Sequence, residues 1–379
     1  MARSGGGFTY LVNLAPRLAA QRREDQFLLL LRSPDLAASL PRSPNLEVRL
    51  LPDLGWAGRL SFTTFRAPRL AREWEADLYF STVEYTPRTS CPAIASFRNP
   101  NVFTSLEQGW PAAQKLRLGL LRRMAARSAR RCASILFVSA DSARWIGDSI
   151  GLPVERRAVV PHGIDVEHWS PSRVSPARLP GGRPYVLTVS TIYRYKNFVR
   201  LIEAWTEVAR RRADTPDLVI VGEAHDLPYR RRMEEARAAA GSLASRVHLL
   251  GEVRYGEIRS WYAGASLFAF PSYLETFGHP LLEALAMGLP VVAADIPVFR
   301  EIAGDAVRYA DPFDVAALSD ALAAVLDSPQ LRAALVERGR EQALAHSWER
   351  SARAHAELFE EVLAAQPLAA RERLVGAGS

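Results

Sequence analysis

Short unbroken apolar runs alternate along the chain with longer stretches whose apolar positions recur every three or four residues. In the first half the runs are Phe27–Leu31, Asp77–Phe80, Ala93–Ala95 and Ile135–Val138, and the periodic stretches predict helices near 9–21, 60–73, 113–131 and 141–150. In the second half strands are expected at Tyr185–Val189, Leu218–Val221, Val247–Leu250, Leu267–Phe270 and Val291–Ala293. Helices are expected there near 197–211, 227–240, 255–263, 279–288 and 313–344. Runs without polar alternation are buried on both faces, and their regular exchange with helices predicts an α/β fold of doubly wound parallel sheets.

The stretch Ser170–Gly182 is rich in Pro, Ser, Gly and Arg, which is linker composition. It divides the chain into a first domain over 1–170 and a second over 183–345, with a cleft expected at the carboxyl ends of both sheets. Ser347 is placed to cap a last helix over 346–366, with Trp348 and Glu349 in its first turn. The mixed tail 367–379 is expected to be disordered. Gly5-Gly-Gly7 and the segment from Thr9 read as the loop and helix that follow a first strand, yet nothing upstream can form that strand. Either the native chain starts earlier than Met1, or another segment takes the place.

Composition narrows the class. Of 379 residues 48% are hydrophobic and 23% charged, the make-up of a folded globular protein. No secretory leader and no run of about 20 apolar residues is apparent, and Cys91 and Cys132 are too few and too isolated for a disulfide framework or metal knuckle. A cytoplasmic protein is expected. The net charge of +7 is most concentrated in Lys115–Arg131. There Leu116, Leu120, Met124 and Ser128 recur at four-residue spacing and predict the inward stripe of a helix. That helix reads as an ordinary solvated one, or as a peripheral contact with an anionic surface at the inner face of the membrane. Nucleic acid is not expected as a partner, because no aromatic-interleaved basic motif accompanies the charge.

The densest chemistry lies between Pro271 and Asp295. A strand end leads to a loop carrying Glu275, a Gly278 helix entry, and a helix with Glu283 in its second turn. Free backbone N–H groups at a helix start attract an anion, while carboxylates suit hydroxyls. A ligand with both, such as a nucleotide-sugar, reconciles the two. Both acids also have plain readings, Glu275 as a dipole partner and Glu283 as an ordinary helix residue, but Leu281, Leu282, Leu285 and Ala286 surround the latter. A second loop, after Tyr185–Val189, bears Thr191, Arg194 and Lys196, either as exposed cations or facing a diphosphate. Of 48 basic residues, only Lys115 and Lys196 are lysines, which hints that a compact ammonium is required at 196. No Asp-x-Asp metal–diphosphate clamp is present, so no divalent metal and no cofactor are expected. Gly5-Gly-Gly7 also lacks the G-x-G-x-x-G spacing of dinucleotide oxidoreductases.

Taken together these segments resemble the GT-B glycosyltransferases, specifically family 4 of the retaining enzymes, over nearly the whole chain. Glu275, Phe277, Gly278, Glu283, Ala284, Ala286, Gly288, Pro290, Val291 and Val292 fit that family's Glu-x7-Glu frame. Pro161-His-Gly-Ile-Asp165 fits its Pro-x-Gly-x-Asp, and Ser347-Trp-Glu349 is similar to the start of its terminal helix, which crosses back onto the first domain. The resemblance implies two Rossmann-like domains facing a cleft and a UDP- or GDP-linked sugar donor. It implies that Glu275 binds hydroxyls of the transferred sugar, Glu283 the ribose, and Lys196 the diphosphate. Amides of Thr276, Phe277, Gly278 and His279, with those of Gly6 and Gly7, complete the phosphate cradle, and Gly222 and Val253 line the nucleotide pocket.

Two positions depart from the family pattern. Its usual arginine five residues before the lysine is Thr191 here, so Arg194 substitutes or Lys196 acts alone. Its first-domain histidine corresponds to Arg98, followed by Asn99, and arginine cannot act as a base at neutral pH. A phosphate or acceptor contact is the remaining role for these two, and His162 and His248 read as structural. The expected function is metal-independent retaining transfer from a nucleoside-diphosphate sugar to a glycan or lipid-linked hydroxyl acceptor, in polysaccharide, lipopolysaccharide or glycolipid synthesis. The alternatives are a catalytically weak nucleotide-sugar-binding subunit and a GT-B-fold epimerase.

Overall fold

The computed structural model describes residues 6–52, 54–104 and 112–366. The chain divides into two compact units, Met1–Gly163 with Trp348–Ser379, and Ile164–Ser347. Gly5 and the tail from 367 lie outside the described residues.

In the first unit β1 (Phe27–Leu31) pairs in parallel with β2 (Leu46–Leu50), Leu29 opposite Val48. A separate parallel sheet runs in the order β3 (Tyr79–Ser81), β4 (Ala93–Ser96), β5 (Ser134–Phe137), β6 (Arg157–Val159). Among the described residues no strand joins the two sheets, so no described segment fills the place that the sequence leaves for a first strand. The helices are α1 (Gly6–Gln21), α2 (Pro34–Ser39), α3 (Trp56–Ser61), α4 (Ala67–Glu73), α5 (Pro100–Phe103), α6 (Ala112–Arg131) and α7 (Ala140–Ser149), with a π-helical turn, Phe62–Arg66, between α3 and α4. The terminal helix, Trp348–Ala364, also belongs to this unit: Trp348, Ala352 and Ala356 share a core with Tyr10, Leu14 and Leu18 of α1 and Leu31 of β1.

The buried stripe of α6 is rotated by about a third of a turn from the predicted one and shares only Ser128 with it. Leu116 and Leu120 are 78% and 43% exposed, whereas Leu118, Ala125, Ser128 and Ala129 are buried. Ala125 and Ala129 share a core with Ala93, Ala95 and Ile135 of the sheet, while Leu116 and Leu120 remain outside it. At ~100° per residue Leu116, Leu120, Arg123, Arg127, Arg130 and Arg131 share one outer face.

The second unit is a six-stranded parallel sheet in the order β12-β11-β10-β7-β8-β9. Its strands are β7 (Tyr185–Val189), β8 (Asp217–Val221), β9 (Val247–Gly251), β10 (Leu267–Phe270), β11 (Val291–Ala294) and β12 (Arg308–Ala310). Its helices are α8 (Phe198–Arg211), α9 (Leu227–Ala239), α10 (Tyr255–Gly264), α11 (His279–Ala286), α12 (Pro297–Ala303), α13 (Val315–Asp327) and α14 (Pro329–Ala345). The strand order reverses direction between β7 and β10, which is the doubly wound Rossmann arrangement. One continuous helix over 313–344 does not form: Ser328 caps α14 through the Leu331 N–H, and Pro329 cannot donate to a preceding turn. The stretch read as a linker is part of this unit. Trp169 and Leu179 are buried, Trp169 meets the Tyr262 ring edge-on at 5.4 Å, and the Ala177 N–H donates to Ser260 O at 2.8 Å. Leu179 within it and Trp169 just before it anchor it.

Candidate functional site

The loops that leave β7 and β10 meet where the strand order reverses, the position at which an open α/β sheet forms its crevice. After β7 the chain passes Thr191 and a single 3-10 turn, Arg194–Lys196, to Asn197, which adopts a left-handed φ of 64°. Asn tolerates this conformation better than most residues. From there its buried side-chain amide donates to Pro271 O at 3.2 Å and to Pro312 O at 2.6 Å, fastening the two loops together. Ser272 Oγ and the Tyr273 N–H both donate to Tyr195 O, at 3.2 and 3.0 Å.

This bracing brings Lys196 Nζ to 2.5 Å from Glu275 Oε1, with the side chains 10% and 11% exposed. The ammonium also stands 5.0 Å from the centroid of the Tyr195 ring and 5.8 Å from that of Phe270, and ring faces favour a cation. An ammonium has three protons to donate, so a bond to Glu275 leaves capacity for an anionic ligand.

Beyond Glu275, Thr276 and Phe277 are buried, and Gly278 turns the chain into α11 with φ 101°. A Cβ at Gly278 would lie 2.8 Å from Phe299 Cε1 and 3.4 Å from Phe270 Cε1. Neither the backbone angle nor the space admits another residue. The first turn begins with the His279 amide, Pro280 has no N–H, and the Leu281 N–H donates to Gly278 O at 3.0 Å. Glu283, in the second turn, is buried, and its Oε2 accepts from the Tyr262 hydroxyl at 3.0 Å. Burial pushes the Glu283 carboxyl up to about 7, with the Tyr262 bond opposing part of the rise.

The remaining second-unit positions form the flank of this edge. Arg194 Nε is 3.6 Å from Asp226 Oδ2, so the loop's arginine has an acidic neighbour in the N-cap of α9. Gly222, at the end of β8, lies so close to the β7 loop that a Cβ would be 1.8 Å from Ser190 O, and its N–H donates to Gly251 O. Val253, half-buried, follows two residues beyond, on the edge-strand side. Lys196, Glu275, Thr276–His279 and Glu283 therefore occupy one stretch of the sheet's carboxyl edge, with Thr191, Arg194, Gly222 and Val253 extending toward β9.

In the first unit Gly6 and Gly7 lie within α1, at its start, and do not form a separate loop. Arg98 follows β4; its NH2 donates to Thr82 O at 2.7 Å, and its guanidinium stands 4.1 Å from the centroid of the Tyr10 ring. The Tyr10 hydroxyl is 2.6 Å from His355 Nε2 on the terminal helix. Burial holds His355 down at about 4, so the neutral ring accepts from Tyr10 while its Nδ1–H donates to Ser351 O at 2.7 Å. Asn99 caps α5, and its backbone N–H donates to Glu84 Oε1 at 3.0 Å. His162 is buried, with its ring stacked on Trp348 at 5.7 Å, and His248 Nε2 is 3.0 Å from Asp217 Oδ2. Sequence reasoning missed Asn197, Tyr262, Tyr10 and His355. Only Asn197 carried a local signal, an amide residue in the last position before a helix.

Two α/β units with parallel sheets, the second of them doubly wound, match the GT-B architecture. Sucrose-phosphate synthase from Thermosynechococcus elongatus superposes with a TM-score of 0.72 at 19% identity, covering 96% of this chain and 95% of that one. The HepE protein of Anabaena, solved in complex with UDP and glucose, gives 0.71 at 18%, covering 95% and 97%. Two family profiles match in succession: Glycosyltransferase Family 4 over residues 4–168 and Glycosyl transferases group 1 over 174–342. The chain belongs to the group 1, family 4 glycosyltransferases. The phosphatidyl-myo-inositol mannosyltransferase of Mycobacterium tuberculosis is 30% identical over 272 residues, 69% of this chain and 64% of that protein's length. The O-antigen chain mannosyltransferase B of Escherichia coli is 26% identical over 286 residues, 73% of this chain and 72% of that one.

Proposed function

We propose that the protein transfers a sugar from a UDP- or GDP-linked donor to a hydroxyl of a glycan or lipid-linked acceptor, with retention at the anomeric carbon and without a divalent metal. One observation carries this reading: Lys196 pairs with Glu275 beside the start of α11, while Glu283 stays buried one turn further along. Ammonium and helix amides match a pyrophosphate; two carboxylates match the hydroxyls at either end of it. As the bond from the anomeric carbon to the diphosphate oxygen breaks, charge grows on the leaving oxygen, where Lys196 and the amides stabilise it. The acceptor oxygen bonds to the anomeric carbon on the same face, and its proton passes to the leaving phosphate oxygen. Glu275 orients the sugar and stabilises positive character at the reacting carbon.

The activities named for the relatives favour a mannosyl donor and an acceptor in glycolipid or O-antigen synthesis. The outer face of α6, apolar at Leu116 and Leu120 and basic from Arg123 to Arg131, suits peripheral work at an anionic membrane surface on its cytoplasmic side. Among the described residues no helix is long and apolar enough to cross a membrane.

Thermal-shift screening against a panel of UDP- and GDP-sugars, followed by transfer assays with and without chelator, tests the reading. Transfer with an unchanged anomer and no chelator effect supports it. An isomerised donor formed without acceptor would make the protein an epimerase, and donor binding with neither transfer nor hydrolysis would make it a binding subunit.

A further inference from the structure

Tyr262, on α10, is fully buried, with its ring stacked on Phe268 at 5.3 Å and met edge-on by Trp169 at 5.4 Å. Rings packed in this way set the position of the phenol oxygen, which lies 3.0 Å from Glu283 Oε2. On its own helix Glu283 is flanked by the buried apolar residues Leu281, Leu282, Ala284 and Leu285. A phenylalanine at 262 would keep the ring contacts without bringing a hydroxyl into this apolar wall, where an unbonded one is costly. The hydroxyl's effect is on the carboxylate, because it fixes which oxygen turns inward.

We propose that Tyr262 is a positioning residue for the nucleotide ribose: by donating to Oε2 it holds Glu283 with Oε1 presented to the 2′- and 3′-hydroxyls. The proposal rests on the nucleotide reading above and adds a residue to it. Trp169 supports the arrangement from the segment that opens the second unit.

Titration calorimetry with UDP and GDP, each beside its 2′,3′-dideoxy counterpart, tests the role in wild type, Tyr262→Phe, Glu283→Gln and the double variant. Tyr262→Phe is expected to weaken binding of the ribonucleotide about three- to tenfold and to leave the dideoxynucleotide unaffected. The double variant should bind no worse than Glu283→Gln, as residues acting through one another are non-additive. Unchanged ribonucleotide binding in Tyr262→Phe, equal losses for ribo- and dideoxynucleotide, or additive losses in the double variant would each overturn the role while leaving the nucleotide reading in place. Wild-type protein that binds neither UDP nor GDP would remove the nucleotide reading itself, and the role of Tyr262 with it.

Discussion

Lys196 and Glu275, 79 positions apart in the sequence, meet at 2.5 Å with their side chains about nine-tenths buried. Each charge is tolerated there because the other is present, and under the proposed function each also acts on the donor. Stability and catalysis are therefore entangled at this pair, and single substitutions will disturb both.

Removing one partner leaves the other charge unpaired, which in buried pairs costs about 3–5 kcal/mol. Lys196→Ala and Glu275→Ala should each lower transfer by an order of magnitude or more and also lower the unfolding midpoint. The neutral pair Lys196→Met with Glu275→Gln should regain much of the midpoint while remaining inactive. Denaturant unfolding and turnover measured on the same preparations separate the two effects.

Under the proposed function, the raised carboxyl of Glu283 gives nucleotide binding a pH dependence of definite sign. An ionised carboxylate accepts from both ribose hydroxyls, whereas the protonated acid has lost part of that capacity. Because burial lifts the carboxyl to about 7, affinity for UDP or GDP should fall as pH drops from 8 to 6. Calorimetry across that range checks it, and Glu283→Gln should bind weakly with a flat profile.

Gly278→Ala should be among the more damaging small substitutions. Its φ of 101° is strained for any side chain, and the added methyl would press on Phe299 and Phe270. A loss of about 1–3 kcal/mol of stability is expected. The start of α11 must shift to relieve the contact, so the stabilisation of melting by UDP or GDP should shrink as well.

The outer face of α6 should bind vesicles containing anionic lipid and ignore neutral ones. Substituting Arg123, Arg127 and Arg130 by Gln should weaken that binding by about 1 kcal/mol per residue, with strong salt dependence. Leu116→Gln and Leu120→Gln should weaken the part that survives high salt. Cosedimentation in 0.1 and 0.5 M salt, with screening lengths of about 10 and about 4 Å, resolves the two contributions. Vesicle binding unaffected by either set would place the contact elsewhere.

Much of the fold could be read from the sequence because its central strands are apolar on both faces. Tyr185–Val189 and Leu267–Phe270 have in the structure the bounds that the sequence suggests. Strands whose side chains are partly solvated left no such trace: Leu46–Leu50 alternates with Glu47 and Arg49, and Arg157–Val159 and Arg308–Ala310 are three residues long. Leu116 and Leu120 misled because periodicity shows that a helix has faces but does not say which face meets the sheet. The positions of Lys196, Glu275 and Glu283 followed from loop and helix-start chemistry, which is local. Partners such as Asn197 with Pro271, or Tyr262 with Glu283, depend on which strands lie side by side, and no short window of sequence encodes that.

The terminal helix completes the core of a unit whose other residues are synthesised well before it. Tyr10, Leu14 and Leu18 have no Trp348, Ala352 or Ala356 to bury against until the whole of the second unit has been synthesised. The contiguous unit, Ile164–Ser347, is free to fold earlier, so the unit begun first is finished last. A nascent chain that stalls anywhere before 348 would carry an open apolar surface on α1, a burden for chaperones that an uninterrupted domain of the same size would not impose.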